Sequence, residues 1–148
     1  MIPQGTINEI LHHKGAAVWT IRPDATVFEA IQLMAEKNIG AVLVTDKDKL
    51  VGIISERDYT RKVVLKGKTS KELKVREILS EHLVHVTPKH SVEECLRLMT
   101  DHRVRHLPVL EGDKIAGVIS IGDLVNWVIS TQGTTIRQLE TYISGYPS

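Results

Sequence analysis

Apolar residues recur along this chain with two alternating periods. Val27, Ala30, Ile31, Met34 and Ala35 stand at i, i+3, i+4, i+7 and i+8, one face of an amphipathic helix, with Asp24 or Thr26 as its N-cap. Two short apolar runs follow, 41–45 and 50–55, and the polar stretch Asp46-Lys47-Asp48-Lys49 between them predicts a hairpin. The same order returns later. Val92, Cys95, Leu96 and Met99 form a helical stripe that should end near Asp101, and the runs 106–110 and 114–119 flank Glu111-Gly112-Asp113. A further helix is predicted from near Arg57 and again from near Gly122, with Ser55 and Ser120 just ahead of each. Extended runs over 16–21 and 83–86 each supply a first strand.

The recurrence is an internal repeat. Sliding the sequence by 65 residues aligns Pro23–Val63 with Pro88–Val128 without a gap, and 13 of 41 positions are identical. The matches include Val27 with Val92, Glu29 with Glu94, Leu33-Met34 with Leu98-Met99 and Val44 with Val109. The segment Gly52-Ile53-Ile54-Ser55-Glu56-Arg57-Asp58 coincides with Gly117-Val118-Ile119-Ser120-Ile121-Gly122-Asp123. Upstream, Glu9-Ile10-Leu11 matches Glu77-Ile78-Leu79 at a shift of 68, so the first copy carries three extra residues around Lys14 to Ala17.

Each copy therefore reads strand, helix, strand, strand, helix. A three-stranded sheet of this size cannot bury both faces alone. The fold expected is α+β: two tandem βαββα units packed with pseudo-two-fold symmetry, plus N- and C-terminal helices. The boundaries expected are 6–66 for the first unit, 73–131 for the second, and 132–148 for a C-terminal helix and tail.

Composition narrows the function. With 19 basic and 18 acidic residues the formal charge is +1, so no broad field gathers nucleic acid or an acidic membrane, and an anion must be met by a local site. No run reaches the roughly 18 apolar residues of a membrane span, and no cationic stretch followed by an apolar core opens the chain, which points to the cytoplasm. Cys95 is the only cysteine; in an apolar helical stripe it reads as a small core residue in a reducing compartment.

No catalytic constellation is visible: no Gly-rich phosphate loop with its lysine, no nucleophile elbow, no cysteine pair for zinc. Among seven histidines, His102 and His106 stand four apart but on different elements, and His12-His13 face different directions on a helix, so no metal site is expected. The doubled Gly-x-x-Ser-x-x-Asp remains. It sets a hydroxyl and a carboxylate beside a helix N-terminus, where unpaired N–H groups accept a phosphate and an Asp takes vicinal ribose hydroxyls. Plain capping by Ser55 and Ser120, with Asp58 and Asp123 as first-turn charges, explains the motif equally well. The second copy adds Arg105-His106 at a strand mouth where the first has Gly40-Ala41, an arrangement suited to clamping a phosphate. Arg57 and Arg61, one helical turn apart, do similar work in the first copy or line its wet face.

The tandem unit with Gly-Ile-Ile-Ser-Glu-Arg-Asp and Gly-Val-Ile-Ser-Ile-Gly-Asp resembles a CBS-domain pair, or Bateman module, over about Thr6 to Ile129. The stretch Ser55-Glu56-Arg57-Asp58-Tyr59-Thr60-Arg61-Lys62-Val63 is similar to stand-alone CBS-pair proteins of bacteria and plant organelles. That resemblance implies a non-catalytic module that binds AMP, ADP, ATP, NAD or S-adenosylmethionine in the cleft between its units and senses energy or redox state. It implies a stronger site of Arg105, His106, Ser120 and Asp123 with the segment 15–20, in which Trp19 borders the adenine beside Thr20, or else is core. A second site would use Ser55, Arg57 and Asp58 with 83–85, and its Gly40-Ala41 departs from the phosphate-binding pattern. The alternative function is a structural dimerisation or interaction module with vestigial clefts.

A homodimer is expected, joined through the helix from Asp123, whose Leu124, Val125, Val128 and Ile129 form an apolar stripe, with Trp127, Val63 and Val64 as contact candidates. A tail helix over 135–143 should dock on the same assembly, and the regulated protein is another chain.

Overall fold

The computed structural model describes residues 4–15, 17–80 and 83–131. The expected tail helix over 135–143 lies outside them. The described residues alternate helix and strand: α1 (Ile7–Lys14), β1 (Thr20–Ile21), α2 (Val27–Lys37), β2 (Ala41–Asp46), β3 (Lys49–Ser55), α3 (Glu56–Tyr59), a π-turn (Thr60–Val64), a 3₁₀ turn (Val75–Glu77), α4 (Val92–His102), β4 (His106–Glu111) and β5 (Lys114–Ser120). Residues 121–131 form a last helix.

Helices α2 and α4 begin the same way for the same reason. Thr26 and Ser91 each accept a hydrogen bond from the N3 amide and receive the N3 glutamate, Glu29 or Glu94, on their own N–H, so both are full capping boxes. That settles the N-cap of α2 as Thr26. Both helices end in a left-handed residue, Asn38 and Arg103, each at φ 54°; asparagine tolerates this conformation better than arginine does.

The chain forms two compact units. Among the described residues, one holds 4–15, 84–111 and 116–131, the other 17–80, 83 and 112–115. These units do not coincide with the sequence copies. The segment ahead of each copy is spatially part of the unit built on the other copy: α1 belongs with α4, β4 and the last helix, and 73–83 belongs with α2, β2 and β3. Packing explains the exchange. In one unit Ile7 and Ile10 join a core with Val92, Cys95, Met99, Leu107 and Ile119. In the other, Val75 and Ile78 join Val27, Met34, Val42, Val44 and Ile54. Leu11 and Leu79, equivalent in the repeat, press on equivalent glycines. A Cβ at Gly117 would meet Leu11 Cδ2 at 2.7 Å, and one at Gly52 would meet Leu79 Cδ1 at 2.5 Å and the Ser80 carbonyl oxygen at 3.1 Å.

In the 17–83 unit the sheet order is β1-β2-β3, with β1 parallel and β3 antiparallel to β2. The first strand of that copy is only two residues long, shorter than the extended run predicts. In the second copy it shrinks to a single parallel bridge, Val86 with Val109, beside the β4-β5 hairpin. Neither run is long enough to alternate its burial, so periodicity marks them poorly.

Candidate functional site

The doubled Ser-x-x-Asp motif folds identically in both copies, as a capping box. Ser120 N donates to Asp123 Oδ2 at 2.8 Å while Asp123 N donates to Ser120 Oγ at 3.1 Å. Ser55 and Asp58 make the same pair at 2.9 and 3.2 Å. The residue just before the neighbouring strand, β2 or β4, is tied to each helix start by a backbone bond: Ile121 N donates to the Arg105 carbonyl at 2.8 Å, and Glu56 N to that of Gly40 at 3.0 Å. Arg105 therefore lies one hydrogen bond from the helix start, where its position in the repeat places it. Capping is a fact at both sites, and it leaves each carboxylate further contacts.

Those further contacts differ. Asp123 is partly shielded and pairs with Lys14, whose Nζ lies 2.6 Å from Oδ2 and also donates to the Val118 carbonyl at 2.7 Å. Asp58 pairs with Lys62, one turn along its own helix, at 3.2 Å, and accepts a bond from Ser80 Oγ at 3.3 Å. Neither lysine was assigned to a site from the sequence. Lys62 carried an i+4 signal from Asp58. Lys14 reaches across more than a hundred residues, and its one local signal was the three-residue insertion around it.

Beside Asp123 an open cleft of about 660 Å³ is lined by His13, Lys14, Asp123, Asn126 and Trp127, among others. Burial pushes the imidazole of His106 below its ordinary range; Lys14 and Arg105 act in the same direction, against the pull of Asp123. Lys14 and Arg105 are the cations that disfavour the protonated ring. In the other unit Trp19 is exposed, with Lys37 Nζ 4.2 Å from its ring centroid, so it is not the core residue that one reading made it. Thr20 pairs with Leu43 and lines a second open cleft of about 560 Å³ with Ile21, Arg22, Asp24 and Ala25. Arg57 sits on α3 in the first turn after Ser55.

Two of the three residues expected at a dimer contact are spent inside the chain. Val63 is buried in the core of its unit. Trp127 packs against the other core and donates from Nε1 to the Gln4 carbonyl at 2.7 Å, with its ring 5.6 Å from that of His13. An indole that finds both an apolar bed and an acceptor has no need of a partner chain. Val64 remains exposed, as do Leu65, Val125 and Ile129, while Leu124 of the expected stripe is buried. Among the described residues no three His, Cys, Asp or Glu side chains are grouped to hold a metal, and no helix is long and apolar enough to cross a membrane.

Two capping boxes of this form, each closing a strand–strand–helix repeat, define a tandem module, and family comparison identifies its class. The CBS domain model matches residues 9–65 and 75–130, and the chain belongs to the CBS-domain family. It is 37% identical over 150 residues to the mitochondrial CBS domain-containing protein CBSX3 of Arabidopsis thaliana, covering 95% of this chain and 72% of that one. A putative signal-transduction protein with CBS domains from Burkholderia ambifaria superposes with a TM-score of 0.83 at 50% identity, over 86% of this chain and 96% of that one. The hexameric CBS-CP12 protein of bloom-forming cyanobacteria superposes at 0.74 with 34% identity, over 83% and 71% of the two chains. The CBS domain pair of protein MJ0100, solved with 5′-methylthioadenosine and S-adenosyl-L-methionine, shares the fold at 0.74 but only 21% of its residues, over 84% and 95%.

Proposed function

We propose that this chain is a non-catalytic sensor that binds an adenosine-containing nucleotide at the Ser120–Asp123 helix start. The observation that carries this reading is the concentration of binding chemistry there: a carboxylate for ribose hydroxyls, Arg105 and His106 at the adjoining strand mouth, and an open cleft alongside. Trp19 and Thr20, which the family pattern assigns to the adenine side, belong to the other unit, and their role rests on that pattern alone. Ser55, Arg57 and Asp58 form the weaker counterpart, since Gly40 and Ala41 replace Arg105 and His106. AMP, ADP, ATP, NAD and S-adenosylmethionine are the candidate ligands, and the module works in the reducing cytoplasm on a partner protein rather than on nucleic acid or membrane.

A ligand bound only by the folded state at about 100 times its Kd adds about 2.7 kcal/mol of stability. Thermal melting with each candidate at millimolar concentration, together with analysis of small molecules released on denaturing the purified protein, tests the reading. An unchanged melt with all five and nothing released would move the protein to the alternative, a structural interaction module. The exposed Val64, Leu65, Val125 and Ile129 support self-association as a homodimer. Light scattering at tens of micromolar should give twice the chain mass; a monomer or a hexamer refutes the dimer.

A further inference from the structure

The three extra residues of the first copy fall around the cation that holds Asp123. We propose that Lys14 sets the charge of the ligand this cleft accepts, favouring adenosine compounds with a 5′-phosphate over neutral or cationic ones. The inference rests on the nucleotide reading above and makes it more specific.

The ammonium of Lys14 has three N–H donors. One meets Asp123 Oδ2 and another the Val118 carbonyl. The third is directed to neither, and Lys14 itself lines the open cleft. Its side chain is about a third exposed, so the four-carbon stem can swing. Lys14 and Asp123 both line the cleft as an ion pair, so a ligand that takes the carboxylate must also answer the ammonium.

Ligands of different charge meet that pair differently. When ribose hydroxyls take Asp123, the ammonium loses its anion; a 5′-phosphate replaces it, so the ion pair is exchanged rather than broken. Adenosine alone offers no replacement and leaves Lys14 uncompensated. A sulfonium adds a further cation beside Lys14, which costs more. The Ser55–Asp58 site lacks this device. There the Ile53 carbonyl, equivalent to that of Val118, is bonded by the Ser80 backbone amide, and the neutral Ser80 hydroxyl reaches Asp58.

The test is calorimetric titration of adenosine, AMP and S-adenosylmethionine into the full chain and into Lys14→Met, Lys14→Arg and Lys14→Gln, with a melting curve for each variant. The parent should bind AMP at least tenfold tighter than adenosine, and S-adenosylmethionine no tighter than adenosine. Lys14→Met should lose roughly tenfold for AMP while adenosine binding holds or tightens, and Lys14→Arg should keep most of the AMP preference. Should Lys14→Met fail to fold, Lys14→Gln, which keeps a donor for Val118, is read the same way. Equal losses for AMP and adenosine would make Lys14 merely structural and overturn the proposal, as would an unchanged AMP-to-adenosine ratio. A parent that binds adenosine as tightly as AMP leaves the nucleotide reading standing and refutes only the role of Lys14. A parent that binds none of the three refutes both.

Discussion

Ile53 and Val118 occupy the same place in the two copies, and their carbonyls meet different donors: a backbone amide from Ser80 in one unit, the tip of Lys14 in the other. The aspartates show the same divergence. Beyond its capping serine, Asp58 is served by Lys62 and Ser80, and Asp123 by Lys14. What the copies share is backbone-deep: the capping boxes, the glycines under Leu11 and Leu79, the strand-to-helix bond from residue 40 or 105. The repeated motif thus builds the scaffold of a site, and the side chains that reach it from elsewhere give each site its character.

Four experiments sharpen that contrast. The largest effect should come from the glycines. Gly52→Ala collides with both a leucine methyl and a backbone carbonyl, whereas Gly117→Ala meets only the end of Leu11, which can turn aside. The first should cost about 2 to 3 kcal/mol and the second about 1, within the usual range for overpacking, as read from urea midpoints. Equal costs would show that the two leucines are equally confined.

Removing a cap comes next. Ser55→Ala and Ser120→Ala should each cost about 1 kcal/mol, because the boxes are alike in length and partners. A markedly larger loss at one of them would show that the resemblance of the boxes stops short of their energetics.

Acidification should separate the copies more gently. His106 has Ala41 as its counterpart, and burial holds its imidazole below the ordinary value of 6.5. In the unfolded chain the ring takes up a proton near 6.5, while in the folded protein it does so only at lower pH. The unfolded state therefore binds more protons over that interval, and stability falls as pH drops from about 7 through 6, levelling below the folded value. The charges facing the ring are Lys14 from α1, Asp123 from the last helix and its neighbour Arg105. His106→Gln should flatten this stretch of the profile, and an unchanged slope assigns it to other groups.

The ion pairs should matter least for stability. Lys62→Met and Lys14→Met should each cost less than about 1 kcal/mol as read from urea midpoints, since both lysine side chains are more than a third exposed, and the difference should fade in salt. A loss that persists at high salt would mean that the carbonyl bonds to Ile78 or Val118 dominate.

The helices and hairpins were legible because each carries its own period and its own caps; Thr26 with Glu29 and Ser91 with Glu94 announce α2 and α4 within four residues. The Ser-x-x-Asp helix starts were legible for the same local reason. The first strands were overestimated because two residues, or a single bridge, cannot display an alternation. The bond that Trp127 makes within the chain was not legible, because its acceptor, the Gln4 carbonyl, lies 123 positions away and leaves no trace in the local pattern. Lys14 escaped for the same reason, although the insertion around it was in plain view.

The exchange of leading segments sets an order on assembly. The unit of 17–83 is nearly continuous, so almost all of its core is available once residue 83 has been made. Helix α1 precedes every other described element in the chain, yet the buried core partners of Ile7 and Ile10 lie among residues 86–124. Until those appear, α1 has no core to join, and closing the loop from Leu11 to Gly117 is among the costliest steps in chain entropy. During synthesis the middle of the chain should fold before its beginning. Lys14, at the end of that late-docking helix, reaches Asp123 only when the last unit closes.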